Sequence, residues 1–396
     1  MSSDRPGANA VSRLDLVLWV VVALLLLRSL QMLTGGLIAP WTDNTDIDLQ
    51  LRAFEYEVFR QGIYPNANLV PQLERELRQY SVYPPYAFPM MVPLFEPGGV
   101  LQARVIIAVA SIASLTVLAV GAWKVMRPWG IPAAAAVALI PFATTGNKFV
   151  FVLGQFSLWC MALVFIQMWL IRRNRPLAAG ACWALAMLKP QIALPFGLLF
   201  LLRGQIRGLG LGLAMLALLS GIACAWTELT PWRVLRFWAF DMTYSFSEDG
   251  FGLGPGTLAS WLGVDHRAVQ VVMAVALAVI GVLVFRFLRR RGHESLLPIA
   301  GLLGGLGMVF FYHRLYDVAM LFPAVLATFL VAASGRNRWA LAIGTVTTAT
   351  FLLPNRRIIP GPFVEEIVLA ALWLSAAILP VIIMLRAERQ PKGATA

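Results

Sequence analysis

The chain has 396 residues, of which 59% are hydrophobic and only 13% charged, and it carries a formal net charge of +12. Its mean hydropathy is +0.74. Soluble domains run at about 45–50% apolar and about 25% charged, so an ordinary soluble globule, a disordered chain and a fibre are excluded. A membrane-crossing helix uses roughly 20 apolar residues. The length therefore holds about ten to twelve crossings and little else. The positive charge belongs to cytoplasmic loops, which collect Lys and Arg, and nucleic acid is not expected as a partner.

In chain order, the first span covers 14–39. Its apolar run lacks a small-residue cleavage site and reads as a signal anchor. A polar stretch follows, acidic at Asp43, Asp46 and Asp48 and rich in charge pairs at Glu74, Arg75, Glu76 and Arg78. It ends in Tyr83-Pro84-Pro85-Tyr86, with Pro89 and Pro93 beyond. Because proline breaks helices, Tyr86–Phe95 is predicted to be irregular or interfacial. Further spans are predicted at Leu101–Trp123, Ile131–Thr144, Phe149–Ile171, Leu209–Trp226, Val269–Phe287, Leu296–Phe311, Val318–Ala333, Ala340–Leu353 and Val364–Leu385.

Basic clusters set the orientation. Lys124/Arg127, Arg172/Arg173/Arg175, Arg203/Arg207, Arg289/Arg290/Arg291 and Arg336/Arg338 are assigned to the cytoplasm, with both termini. The loop 40–98 and the loop Thr227–His266 are then extracytoplasmic. Arg175 and Arg203 are too close for a full crossing out and back, so two short limbs, Leu177–Leu188 and Ile192–Leu202, are predicted to meet at Lys189-Pro190-Gln191. At about 1.5 Å per residue each limb spans only 15–18 Å, which leaves Lys189 at membrane depth. A backbone broken there is tolerated only where protein packs it or a cavity lies beside it. The predicted fold is an all-α polytopic membrane protein with about twelve transmembrane helices, some of them short or re-entrant. It forms one domain over 1–396: the spans of 99–386 follow the first loop, and 387–396 is a tail.

Ionisable groups within spans are costly and point to function. Lys189 is one candidate. The turn Tyr312-His313-Arg314-Leu315-Tyr316-Asp317 is another, with Asp317 reading as a simple partner for Arg314. The pair Arg356-Arg357 lies outside in this topology, against the positive-inside trend. Cations thus gather at the outer rim while carboxylates gather in the first loop. Guanidinium groups bind phosphate through paired hydrogen bonds. That separation suits a substrate with a phosphate at one end and a reacting hydroxyl at the other. Sugar transfer from a lipid phosphate needs no acid, because the leaving group is already a phosphate, but it does need cations to stabilise the growing charge. The acceptor hydroxyl needs one general base. Attack from the face opposite the phosphate inverts the anomeric centre.

Cys160, Cys182 and Cys224 sit in apolar runs and read as small core residues. With no CxxC or CxxH pair, a structural zinc site is not expected. Asp43, Asp46 and Asp48 could hold a divalent cation through oxygen, but no metal or other cofactor is expected. No GxxxxGK[ST] loop is present.

The stretch from Asp48 to Gly62-Ile63-Tyr64-Pro65 resembles the first outer loop of glycosyltransferase family 87 in the GT-C superfamily. That family includes phosphatidylinositol-mannoside mannosyltransferases. Tyr83-Pro84-Pro85 resembles its Tyr-x-Pro-Pro segment, Gly154-Gln155 its Gly-Gln helix start, and Leu188-Lys189-Pro190 its Lys-Pro turn. The four matches keep the family's order over roughly 40–205, with only hydropathy in common beyond. The family's tyrosine shortly after the Asp is absent; Leu51, Arg52 and Ala53 stand there. The resemblance implies a polyprenyl-phosphate sugar donor, commonly mannose, and a lipid-linked or glycan acceptor among membrane lipids. It also implies a loop Asp as base: Asp48 by position, with Asp46 the alternative. Lys189, His313, Arg314, Arg356 and Arg357 are the candidates for the donor phosphate, and Asp43, Tyr64, Tyr83, Tyr86 and Gln155 for substrate contacts. Outer aromatics stack on sugars but also form interfacial belts. A transporter or flippase of a lipid-linked or polar solute is the competing reading, since broken helices also mark transporters. A non-catalytic assembly partner is a third.

Overall fold

The computed structural model describes residues 13–42, 46–66, 69–70, 81, 83–248, 295–310, 314–335, 337–353 and 362–387, with scattered positions between 263 and 287. Among them the chain is helical, with no strand. The helices are α1 (Arg13–Thr42), α2 (Ile47–Arg60), α3 (Ala87–Phe95), α4 (Gly99–Met126), α5 (Ile131–Ala143), α6 (Thr145–Leu153), α7 (Ser157–Arg172), α8 (Pro176–Ala186), α9 (Pro190–Ala193), α10 (Leu198–Leu202), α11 (Ile206–Trp226), α12 (Pro231–Glu248), α13 (Leu296–Phe310), α14 (Phe322–Gly335), α15 (Arg338–Leu352) and α16 (Pro362–Ala387).

Among the described residues, six helical stretches are long and apolar enough to cross a membrane: Leu14–Thr42, Gly99–Trp129, Ile131–Leu153, Ile206–Trp226, Tyr316–Gly335 and Val368–Arg386. Four shorter apolar stretches accompany them: Ser157–Arg172, Pro176–Ala186, Pro190–Leu202 and Leu296–Met308. Set against the prediction of about twelve spans, some of them short or re-entrant, the described residues hold six long apolar helices and four shorter ones. The span predicted at Val269–Phe287 lies largely outside the described residues. Helix α4 shows why these sequences suit a bilayer. Its buried stripe is Ala103, Ile107, Ser111, Ser114, Leu118 and Ala122. Leu101, Val105 and Val109 point outward and stay exposed. Small residues let helices approach, and branched apolar ones face lipid, an arrangement a soluble helix reverses.

Two local predictions are corrected, and one predicted loop holds a helix. Tyr86–Phe95 is not irregular, because Ala87–Phe95 is helical in spite of Pro89 and Pro93. Pro89 falls in the first turn, where a missing N–H removes no intrahelical bond. The span predicted at Phe149–Ile171 is broken at Gly154–Phe156, so that α6 ends and α7 begins there. The loop Thr227–His266 contains the 18-residue helix α12.

The predicted short limbs are present. α8 ends at Ala186, and Pro190 restarts the chain as α9, a 3-10 turn over Leu194–Gly197, and α10. Side chains capture the carbonyls that this break exposes. Trp183 Nε1 donates to the Ala193 oxygen at 2.9 Å, and Gln167 Nε2 to the Phe196 oxygen at 3.0 Å. Such pairing makes a non-helical backbone tolerable at membrane depth. Sequence reading passed over Arg28, inside α1. Its guanidinium donates to Gln31, to Thr145 Oγ1 and to the Leu352 carbonyl at the end of α15. A helix C-terminus carries partial negative charge, so the cation is met without a carboxylate.

Helices α8 and α11 touch backbone to backbone. A Cβ added at Gly180 would collide with the carbonyl oxygen of Gly208. Gly180→Ala should therefore push the two helices apart and lower stability by about 1–3 kcal/mol. Thermal unfolding of the purified protein in detergent measures the loss.

Candidate functional site

The site begins at α2, the helix that follows the first span. Asp46 opens it, buried, with both carboxylate oxygens held by Arg104 of α4 at 2.5 and 2.9 Å and one of them by Gln50 at 2.9 Å. The pair pins the start of α2 against α4. Asp48, two residues on, is only half-buried. At the far end of the helix Tyr56 stacks on Phe95, and Phe59 stacks on Phe88.

The break between α6 and α7 presses on α2 from below. Gly154 takes a left-handed conformation, with φ of +73°, which glycine adopts without strain. A Cβ there would lie 2.5 Å from the Cβ of Leu49. Glycine thus serves both the turn and the close seat of Leu49, and the next residue, Gln155, is delivered directly beneath Asp48. Gln155 Nε2 donates to Asp48 Oδ2 at 2.5 Å, while its Oε1 accepts from Lys189 Nζ at 3.1 Å.

Lys189 is buried at the turn between α8 and α9. Besides Gln155, its ammonium donates to Ser157 Oγ at 2.8 Å and to Asp317 Oδ1 at 2.6 Å. It also sits 4.3 Å from the centre of the Tyr316 ring. Asp317 is 1% exposed. The same Oδ1 accepts from Ser157 at 2.6 Å, and Oδ2 accepts from the backbone N–H of Arg314 at 3.1 Å. A buried charge needs a partner and satisfied hydrogen bonds; this ion pair has both. The result is one polar chain, Asp48–Gln155–Lys189–Asp317, crossing α2, the α6–α7 break, the α8–α9 turn and the 3-10 helix Leu315–Leu321.

Asp48, Arg52 and Glu55 share one face of α2, since residues four and seven apart on a helix align. Arg52 Nη1 lies 2.5 Å from Glu55 Oε2, both side chains being buried. The guanidinium covers the Tyr83 ring at 4.7 Å, and Tyr83 meets Phe156 edge-on. Burial pushes the Glu55 carboxyl up from 4.5 to about 7; Arg52 and Ser81 oppose this and Asp48 adds to it. Burial also raises the hydroxyls of Tyr83 and Tyr86.

Of the residues singled out from the sequence, Asp48 and Lys189 are joined through Gln155, with Tyr83 one helical turn along under Arg52. Asp46 is adjacent but committed to Arg104. Tyr64 lies apart, buried edge-on against Phe88, and Tyr86 is half-buried at the start of α3. Arg314 reaches the chain through its backbone N–H. Asp43, His313, Arg356 and Arg357 lie outside the described residues. Asp317 was underread: it pairs with Lys189, 128 residues away. Ser157, Arg52, Glu55 and Arg104 were missed altogether. The spacing of Asp48, Arg52 and Glu55 was the available signal for two of them. Among the described residues no group of three His, Cys, Asp or Glu side chains is arranged to hold a metal.

The Glu55 shift has a definite sign. A carboxyl raised from 4.5 to about 7 contributes stability that is complete below the lower value and is lost as pH rises through the upper one. Thermal unfolding of the wild type should show that decline between these two values. Glu55→Gln, which fixes the neutral form, should flatten it.

No curated protein and no solved structure matches the chain. The sequence profile of glycosyltransferase family 87 matches residues 82–312. The match takes in Tyr83, Gln155, Ser157 and Lys189, starts after Asp48 and Glu55, and stops short of Asp317. It also runs well past the stretch in which the resemblance was first read. More than half of the sequence is covered, and the chain belongs to glycosyltransferase family 87.

Proposed function

We propose that this glycosyltransferase moves a sugar, mannose by resemblance, from a polyprenyl-phosphate donor to a hydroxyl of a lipid-linked or glycan acceptor. The reaction takes place on the extracytoplasmic side of the membrane, in a GT-C-like scaffold, and Asp48 is the general base. One observation carries the choice of base. Asp46 is buried with both oxygens held by Arg104, while Asp48 is half-buried and gives one oxygen to Gln155. A general base must reach the proton it takes, and only the second carboxylate is open to an incoming hydroxyl.

In this mechanism Asp48 removes the acceptor proton as the acceptor oxygen attacks the anomeric carbon. The bond from that carbon to the phosphate oxygen breaks on the opposite face, so the product is inverted and polyprenyl phosphate departs. Negative charge grows on the phosphate and calls for nearby cations. Lys189 supplies positive charge beneath the site, tempered by Asp317, and Arg314 stands at the adjoining turn. His313, Arg314, Arg356 and Arg357 make up the proposed direct phosphate contacts on sequence grounds, and Lys189 acts only as a background charge. Tyr83, Tyr86 and Tyr64 are the proposed aromatic contacts to substrate, and Asp43 a further polar one.

Asp48→Asn should lower transfer by about a thousandfold or more, the order expected for loss of a general base together with its charge. Its melting temperature should stay near that of the wild type. Asp46→Asn should do the reverse, chiefly lowering stability by stranding Arg104. Incubating each purified variant with radiolabelled polyprenyl-phosphate-mannose and membrane lipids, alongside thermal unfolding, separates the two. Full transfer by Asp48→Asn rejects Asp48 as base.

A further inference from the structure

We propose that Lys189 and Asp317 are positioning residues that act on Asp48 through Gln155, and that Lys189 is not a direct ligand of the donor phosphate. This rests on the reading of Asp48 as base. It assigns the buried ion pair a different task from the one the sequence suggested.

The argument starts from donor counts. An ammonium has three N–H groups and no acceptor. Those of Lys189 go to Gln155 Oε1, Ser157 Oγ and Asp317 Oδ1, at 3.1, 2.8 and 2.6 Å. The side chain is buried, and Tyr316 covers a further side. For a phosphate to take one of these donors, a buried group would have to lose its partner.

The second step concerns the amide. An amide has a donor end and an acceptor end, and its partners decide which way each faces. Here the chemistry leaves no choice. Facing an ammonium, Gln155 must present Oε1, and its Nε2 is then turned to Asp48. A carboxylate accepts only while ionised, so the lysine, at one remove, keeps an N–H donor trained on Asp48 Oδ2. Ser157 and Asp317 in turn hold the lysine. Among the described residues no partner is seen on Asp48 Oδ1, and that oxygen is left for the acceptor hydroxyl. The other charged and titratable groups around Asp48 are Arg52 and Glu55 on its own helix, Tyr83 beneath Arg52, and the Asp46–Arg104 pair at the helix start.

Two measurements on the full-length protein test the proposal. The first needs no turnover. The infrared carboxyl band that disappears in Asp48→Asn is followed against pH in otherwise wild-type protein. Gln155→Leu, which removes the donor, should move its protonation midpoint up by about one pH unit. Gln155→Glu, which keeps an acceptor for Lys189 but turns an acceptor to Asp48, should move it further. Removing one member of a buried ion pair strands the other, whereas replacing both is often tolerated. The double variant Lys189→Met/Asp317→Leu is therefore the one expected to fold, which its melting temperature checks, and it should also raise the midpoint. An unchanged midpoint in all three overturns the proposal.

The second measurement is transfer from polyprenyl-phosphate-mannose. In Gln155→Leu and in the double variant kcat should fall about tenfold or more, with donor KM within about twofold of wild type. A raised donor KM with kcat intact would make Lys189 a phosphate ligand and overturn it as well. If Asp48→Asn retains full transfer, the base assignment fails by itself, and the infrared titration still decides whether Lys189 acts on Asp48.

Discussion

A lysine ammonium shut inside a helical bundle is tolerated only when its charge and all three of its N–H groups are met. In this protein the Lys189–Asp317 pair imposes that condition, and much of the surrounding chain is arranged to satisfy it. The α8–α9 turn must place the lysine inside the bundle, and Pro190 opens the helix that follows it. The α6–α7 break must open at the same level so that Gln155 and Ser157 can face the ammonium, and Gly154 opens it. The 3-10 helix Leu315–Leu321 must bring Asp317 inward. Three interruptions in apolar helices, far apart in sequence, are one feature in space.

Helix α2 closes this arrangement from above. It buries charged groups beside its apolar ones, with Asp48, Arg52 and Glu55 in line. Arg104 holds its start and aromatic stacking on α3 holds its far half. Two aspartates two residues apart thereby receive opposite surroundings. One is sealed in a bidentate ion pair; the other stays partly open over a single amide donor. Environment, not residue type, separates a structural carboxylate from one fitted to take a proton. That contrast underlies the proposed chemistry.

Around this polar centre the packing follows membrane rules. Small residues such as Gly180 and Gly208 bring α8 and α11 to backbone contact, while leucines and valines of α1 and α4 stay exposed on the outside. Arg28 shows the same economy with charge: a cation within an apolar helix rests on a carbonyl at the end of α15 and on Thr145. Backbone dipoles answer charge where a carboxylate would be a second ion to desolvate.

Composition and hydropathy, read as a sequence, already determined that this is a helical membrane chain, because runs of apolar residues have no other stable setting. Local chemistry also located one discontinuity. Lys-Pro marks the α8–α9 turn, since Pro acts on its own backbone wherever it stands, whereas the α6–α7 break at Gly154-Gln155 falls inside a span that hydropathy alone reads as continuous. Proline was also where reading along the chain failed, for Pro89 sits in a first helical turn that it does not disturb. The family match came from residues in order along one strand of information and stops before either end of the polar chain. What only the tertiary structure decided is pairing. That Asp317 belongs to Lys189, Asp46 to Arg104 and Asp48 to Gln155 depends on contacts across 128, 58 and 107 positions. Hydrogen bonds and ion pairs are short-ranged, so the partner of a buried charge is set by which helices pack together and not by its neighbours in the chain.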